Sequence, residues 1–253
     1  MIDLHTHLLP GVDDGAETAE QAVAVLGSFA AQGVRAVCCT PHLRASELAE
    51  APCTELDGLL AELRRMAPEA VRLTRGFEVM LDVPAPDFTD RCVCLSGSRY
   101  VLVEFGRLVP AGASVEALRR IAAQGLVPVL AHPERYAACS VEQARVWREA
   151  GAILQVDATT VLSDTRRAER ARALLAAGQA AILASDNHGD GRSLAAAVEW
   201  LDRHGGEVQA RLLAYDNPEA ILADAETVPV PPLRVRRSWY TLLKDFVVGG
   251  RDA

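Results

Sequence analysis

Lysine is nearly missing from this chain: Lys244 is the only one in 253 residues, and arginine carries the remaining positive charge. We attach no function to that bias. The overall balance does matter, because 26 Lys and Arg against 34 Asp and Glu leave a formal charge of −8. A chain of that sign has no basic footprint, so no nucleic-acid partner is expected. No apolar run approaches the length of a spanning helix, so no integral membrane segment is expected either. The N-terminus holds Asp3 and His5 where a secretory signal needs a basic start and a long apolar stretch. The six cysteines lack a regular framework spacing, and Cys38-Cys39 lie together inside an apolar run. These absences predict a cytoplasmic protein with reduced thiols. No solenoid-type repeat is present, and nothing in the sequence fixes an oligomeric state.

Half of the residues are hydrophobic, enough to bury a full core, and α/β barrels of this length are commonly one domain. Strand and helix patterns alternate along the chain. Strands are expected at the opening stretch to His7, at Val34 to Thr40, Arg72 to Val79, Arg99 to Phe105, Leu126 to Ala131, Ala152 to Asp157 and Gln179 to Ser185. Between them, Thr18 with Gln21 and Ser140 with Gln143 signal helix starts, and Gly33, Gly125, Gly151 and Gly178 signal helix ends. Leu81 to Ser98 reads as loop. Seven strands joined by helices predict a parallel sheet, and closing it gives a distorted seven-stranded (β/α)7 barrel with its site at the strands' carboxyl ends. The domain is expected over residues 1–225. Residues 226–253 read as a separate tail: a stiff Val228-Pro229-Val230-Pro231-Pro232 linker, then the basic and aromatic Arg234 to Tyr240. That tail either packs on the barrel, is partly disordered, or docks a partner or an anionic membrane surface.

The apolar runs share one feature: they stop at metal-ligand residue types. His5 and His7 end the first, and side chains two apart in a strand leave the same face. His42, Glu78, Glu104, His132, and Asp186 with His188 end others, while Asp14 lies in the first loop. These nine nitrogen and oxygen ligands are too many for one ion and suit two or three. Imidazole mixed with carboxylate favours manganese, iron or zinc over calcium or magnesium. Closely spaced divalent ions can bind a phosphoryl group and lower the pKa of a bridging water, so no protein nucleophile is needed. Cys38 to Arg44 and Cys139 to Arg145 fit the Cys-x5-Arg pattern of thiolate phosphatases, but neither segment has the glycines that wrap amides around a phosphate.

His5-Thr6-His7, Gly11-Val12-Asp13-Asp14-Gly15-Ala16, Thr40-Pro41-His42, Gly76-Phe77-Glu78, Val103-Glu104-Phe105, Ala131-His132-Pro133-Glu134-Arg135-Tyr136 and Ser185-Asp186-Asn187-His188 resemble the polymerase-and-histidinol-phosphatase (PHP) superfamily. More narrowly they resemble its bacterial metal-dependent protein tyrosine phosphatases of capsule and exopolysaccharide synthesis, from Met1 to about Ala223. The resemblance implies a first ion held by His5, His7, Glu78 and Asp186. Glu78 would bridge to a second ion that also takes Glu104 and His132, and a third would take Asp14, His42 and His188. Arg135 and Arg192 would bind phosphate oxygens, and His42 or His188 would position a water or the leaving oxygen. Manganese is the implied metal, and the implied substrate is an autophosphorylated bacterial tyrosine kinase. A small-molecule phosphatase acting on histidinol phosphate or a nucleotide, and a non-catalytic metal-binding docking domain, are the alternatives. Asp157, on the same rim, reads as structural, and His204 as a solvated surface residue.

Overall fold

The computed structural model describes residues 1–233. The chain runs β1 (Ile2–Thr6), α1 (Ala19–Ala31), β2 (Ala36–Cys39), β3 (His42–Arg44), α2 (Cys53–Met66), β4 (Arg72–Arg75), β5 (Glu78–Met80), β6 (Tyr100–Glu104), α3 (Ala111–Ala123) and β7 (Val127–Ala131). It continues through α4 (Val141–Glu149), β8 (Ile153–Asp157), α5 (Ala158–Val161), α6 (Arg166–Ala176), β9 (Ile182–Ala184), α7 (Ala195–Arg203), α8 (Glu207–Arg211) and α9 (Asn217–Leu222). Every strand pair is parallel, in the orders β1-β2-β4 and β3-β5-β6-β7-β8-β9. The two arcs make one distorted barrel, because β9 returns to β1 through a bridge between Thr6 and Asn187.

The expected strand over Arg72 to Val79 is broken into β4 and β5, and beyond the expected strand over Val34 to Thr40 the chain resumes as an unexpected β3 at the same height. Cys39 pairs with Arg75 below the break and His42 with Glu78 above it, so Thr40-Pro41 and Gly76-Phe77 interrupt neighbouring staves together. Pro41 has no N–H to give to a ladder. Gly76 leaves room for the chain that crosses behind it, since a Cβ there would lie 3.0 Å from Leu95 Cα. The turn Leu95–Gly97 packs against both β4 and β6 and so fills the gap the break leaves in the wall. Beyond the bend, His42 and Glu78 start their strands at the barrel mouth.

The helices form where caps and apolar spacing agree. Thr18, Ser140 and Thr165 side chains accept from the N–H groups of Gln21, Gln143 and Ala168. Leu26 and Phe29 of α1, Leu118 and Ile121 of α3 and Trp147 of α4 then pack against the outward faces of the strands. On the other face, Leu4, Cys38, Leu102, Val129 and Ile182 form a smaller cluster inside the barrel, closed by Ile221 of α9. Tyr136 ties two strand ends together, donating to Ala131 O and accepting from Phe105 N. α5 and α8 have no strong apolar period and are not legible in the sequence.

The expectation of reduced thiols throughout is corrected. Cys53, at the start of α2, and Cys92, in the loop after β5, are bonded, with Cα atoms 6.1 Å apart. Spacing hides the pair because tertiary packing, across 39 residues, brings them together. The other four cysteines are free and buried. Burial pushes the Cys38 and Cys139 thiols up to about 12 each, which leaves no thiolate nucleophile at either Cys-x5-Arg match. The proline-rich stretch lies on the body: Gln209 donates to the carbonyls of Pro231 and Pro232, Asn217 exchanges hydrogen bonds with Val228, and Val230 and Leu233 are buried. The basic, aromatic segment from Arg234 lies outside the described residues. No helix among the described residues is long and apolar enough to cross a membrane.

Candidate metal centre

At the end of β1, the Nε2 atoms of His5 and His7 face each other at 3.2 Å. Their other ring nitrogens are occupied. His5 Nδ1 donates to Gln155 Oε1 at 3.0 Å, and His7 Nδ1 donates to Asp13 Oδ2 at 2.6 Å. In that tautomer both Nε2 atoms present lone pairs. Two carboxylate oxygens close on the same point: Glu78 Oε2 at 3.1 and 3.4 Å from the two nitrogens, and Asp186 Oδ1 at 3.3 and 3.4 Å. Four acceptors converging without a donor, all on residues at or below 1% exposure, are stable only around positive charge. A point equidistant from atoms so spaced lies roughly 2 Å from each, a transition-metal bond length. The residues therefore fit a divalent ion.

Without an ion, protons take its place. Burial opposes a charge on His5, but Glu78 and Asp186 outweigh it and lift the ring to about 9. His7, against burial, is raised well above its ordinary value by Asp13, Asp186 and Glu78. Burial likewise opposes charge on Glu78, yet His5 and His132 hold its carboxyl well below the usual range. Asp186 is lowered too, His5, His7 and Arg135 overcoming its burial. Glu104 goes the other way, because burial and the neighbouring Glu78 push it up to about 7.

A second group lies nearer solvent. His7, Asp14, His42 and His188 offer ligand atoms to one point, with Asp14 Oδ1 at 3.4 Å from Nε2 of both His42 and His188. A third group is His42 with Glu78 and Glu104, where His42 Nδ1 is 3.1 Å from Glu78 and 3.7 Å from Glu104. His132 Nε2 faces the same two carboxylates at 2.8 and 3.8 Å, while its Nδ1 is buried without a partner among the described residues. The structure thus brings all nine residues to one mouth, with His42 standing between the groups. His132 (φ 32°) and Asp186 (φ 50°) are both in the left-handed region, an uncommon backbone for such residues that concentrates at functional sites.

The arginines sit at the edge of this cluster with carboxylate partners. Arg135 donates to Asp157 at 2.8 Å and also to Asp186 Oδ2. Arg192 pairs with Asp190 at 2.8 Å and lies 3.8 Å from Asp186 Oδ2. Asn187 folds the loop back to bring it there, donating to the carbonyls of Asp190 and Arg192. Asp157 also caps α5 through the N–H groups of Thr159 and Thr160, in line with its structural reading. His204 stacks on Trp200, away from the cluster.

Two supporting residues are missing from the sequence reading. Asp13 braces His7 and accepts from the backbone N–H groups of Gly15 and His42, so one carboxylate pins three segments. Gly15 is required there, since a Cβ would fall 2.0 Å from His7 O. Gln155 was signalled only by a polar residue in an otherwise apolar strand.

Residues 1–223 match the family model described as capsular polysaccharide synthesis, CpsB/CapC. The chain belongs to the CpsB/CapC family. It is 29% identical over 241 residues to the tyrosine-protein phosphatase CpsB of Streptococcus pneumoniae, covering 88% of this chain and 99% of that protein. The tyrosine-protein phosphatase YwqE of Bacillus subtilis is 29% identical over 140 residues, 53% of this chain and 55% of the relative. In structure, the chain is similar to one described with YwqE and S. pneumoniae CpsB as unique metal-dependent tyrosine phosphatases. The TM-score is 0.75 at 24% identity, over 94% of this chain and all of that one. A D-hydantoinase matches at a TM-score of 0.51 and 11% identity over 92% of this chain and 73% of that one, a likeness of fold alone. The α/β barrel expected from the alternation of strands and helices is therefore the fold this CpsB/CapC chain shares with them.

Proposed function

We propose that this chain is a metal-dependent protein-tyrosine phosphatase of capsular or exopolysaccharide synthesis. The observation that carries the reading is the convergence of His5, His7, Glu78 and Asp186 on one point with their outer ring nitrogens already braced. Family membership and the names of its relatives supply the substrate class. The nine residues have the donor chemistry for two or three divalent ions, manganese foremost, with iron or zinc as alternatives. Such ions supply Lewis acidity toward a phosphoryl group and acidify water.

The chain's own groups do the rest. Attack by a water oxygen on phosphorus breaks the bond to the phenolic oxygen, which leaves with the electron pair; inorganic phosphate and tyrosine result. A phenolate, with a pKa near 10, departs more readily than an alkoxide and needs less help from an acid. Arg135 and Arg192 exchange part of their hold on Asp157, Asp186 and Asp190 for the phosphoryl oxygens. His42 or His188, on the open side, orients the water or the departing oxygen. The physiological substrate on this reading is an autophosphorylated bacterial tyrosine kinase. The test is elemental analysis of the purified protein paired with hydrolysis of a phosphotyrosyl peptide and of histidinol phosphate, with and without chelator. Chelator-sensitive preference for the peptide is expected; preference for histidinol phosphate rejects the assignment.

A further inference from the structure

A cleft of about 590 Å³ opens off the candidate metal centre, with His42 and Glu104 at its inner end and Arg44, Met80 and Asp82 further out. A cavity of about 150 Å³ already admits benzene, so a single aromatic ring is well within its capacity. The walls follow from strand register. His42 pairs with Glu78 and Arg44 pairs with Met80, two residues on. Residues two apart share a face, so Arg44 and Met80 stand on the same side as the two ligands, about 6.6 Å further along the strands. The burial of β3 alternates accordingly, with His42 and Arg44 open and Leu43 between them buried. Met80 is registered on its other side with Glu104. Asp82 beside them is fixed in place by the Ser46 N–H and hydroxyl, at 2.9 and 2.7 Å.

We propose that Arg44 and Met80 form the slot that grips the tyrosyl ring and make this site selective for aryl over alkyl phosphate monoesters. The proposal rests on the phosphatase reading above and adds the residues that choose the substrate. The step from ligands to slot matches the length of a phenol ring. In phosphoserine only two bonds separate phosphorus from Cβ, so the alkyl ester and its peptide backbone do not reach past the slot walls in the same way. Met80 supplies a polarisable thioether to the ring, and Arg44 supplies a guanidinium able to lie over its face. Neither belongs to the groups that hold an ion.

The test separates the slot from the chemistry by using non-hydrolysable probes on the manganese-loaded protein. Calorimetry with benzylphosphonate and methylphosphonate should show tighter binding of the benzyl compound. Met80→Ala should reduce that preference about three- to tenfold by weakening the benzyl compound alone, and Arg44→Ala should reduce it by a comparable factor. Met80→Leu should keep most of it, which guards against a folding defect. With a phosphotyrosyl peptide, Met80→Ala should raise KM and leave kcat nearly unchanged. Equal weakening of both phosphonates, or an unchanged ratio in both alanine variants, overturns the slot. Absence of turnover in the wild type rejects the phosphatase reading instead, and the phosphonate ratio still decides whether the slot exists.

Discussion

The inner and outer groups of the metal centre are built differently. His5, His7, Glu78 and Asp186 are sealed from water, and His5 and His7 are held from behind by Gln155 and Asp13. Asp14 and His42 stand open, with side chains 71% and 41% exposed; of the outer residues not shared with the inner set, His188 has its back nitrogen tied, to Asp186 O. A sealed, braced set loses little entropy on binding an ion and has no water to compete with it; an open set must order itself and remains accessible to solvent. On the proposed reading, the inner set would therefore anchor an ion and the outer set would exchange one more readily.

That contrast can be broken at several points. Glu78→Gln removes the carboxylate common to the inner group and to the group of His42, Glu78 and Glu104, and activity should fall about a thousandfold or more. Hydrolysis of p-nitrophenyl phosphate within tenfold of wild type would show that Glu78 is not central. Asp13→Asn leaves every candidate ligand in place and removes only the anionic brace of His7. Metal affinity, read by chelator competition, should drop about 10- to 100-fold; an unchanged affinity would place Asp13 in loop structure alone. His188→Ala should cost about tenfold in activity and be rescued by added manganese, with the melting temperature nearly unchanged. A large loss of thermal stability there would erase the distinction between anchor and exchangeable part.

The smallest expected effect concerns a carboxyl just outside the cluster. Glu134 is buried; its Oε1 accepts from Asp157 N, its Oε2 has no partner among the described residues, and burial together with Asp157 pushes its pKa up to about 8. The native state then keeps a proton that the unfolded chain releases at ordinary carboxyl pH. Its stabilising contribution is full below the unfolded pKa and is lost as pH rises toward about 8. Glu134→Gln should accordingly flatten the fall in melting temperature between about pH 5 and pH 8, by a few degrees. Parallel curves for the two proteins would mean that Glu134 is charged when folded.

Much of this was readable from residues in order. A His-x-His at the end of an apolar run, a carboxylate or imidazole at the end of five more, and helix caps at Thr18 and Ser140 are local signals; the caps and the β1, β6 and β7 ends lie where their patterns say, whereas His42 and Glu78 begin β3 and β5 instead of ending a strand. Gly76 lies inside Arg72 to Val79, which reads as continuous strand, while the strand expected over Val34 to Thr40 stops short of Pro41 and leaves β3 beyond it unread. Only the pairing of Cys39 with Arg75 and His42 with Glu78 shows that both gaps fall at one height. The Cys53–Cys92 bond and the hold of Gln155 on His5 join residues 39 and 150 apart, for which no periodicity exists to read. Asp13 was visible as one of an adjacent acidic pair, but neighbours in sequence point apart, and its bonds to His7 and His42 appear only once the first loop is folded.

By itself the sequence determined which side chains sit at the upper ends of the apolar runs and where helices start, because alternation and capping are properties of a few neighbouring residues. The order of parallel strands, and with it the barrel mouth, followed from those same local patterns. Tertiary structure alone decided which of those side chains share an ion, which carboxylate braces and which one binds, and where the arginines rest. Such choices depend on distances of 3 to 4 Å between parts of the chain far apart in number, and those distances are fixed only when the bent staves close.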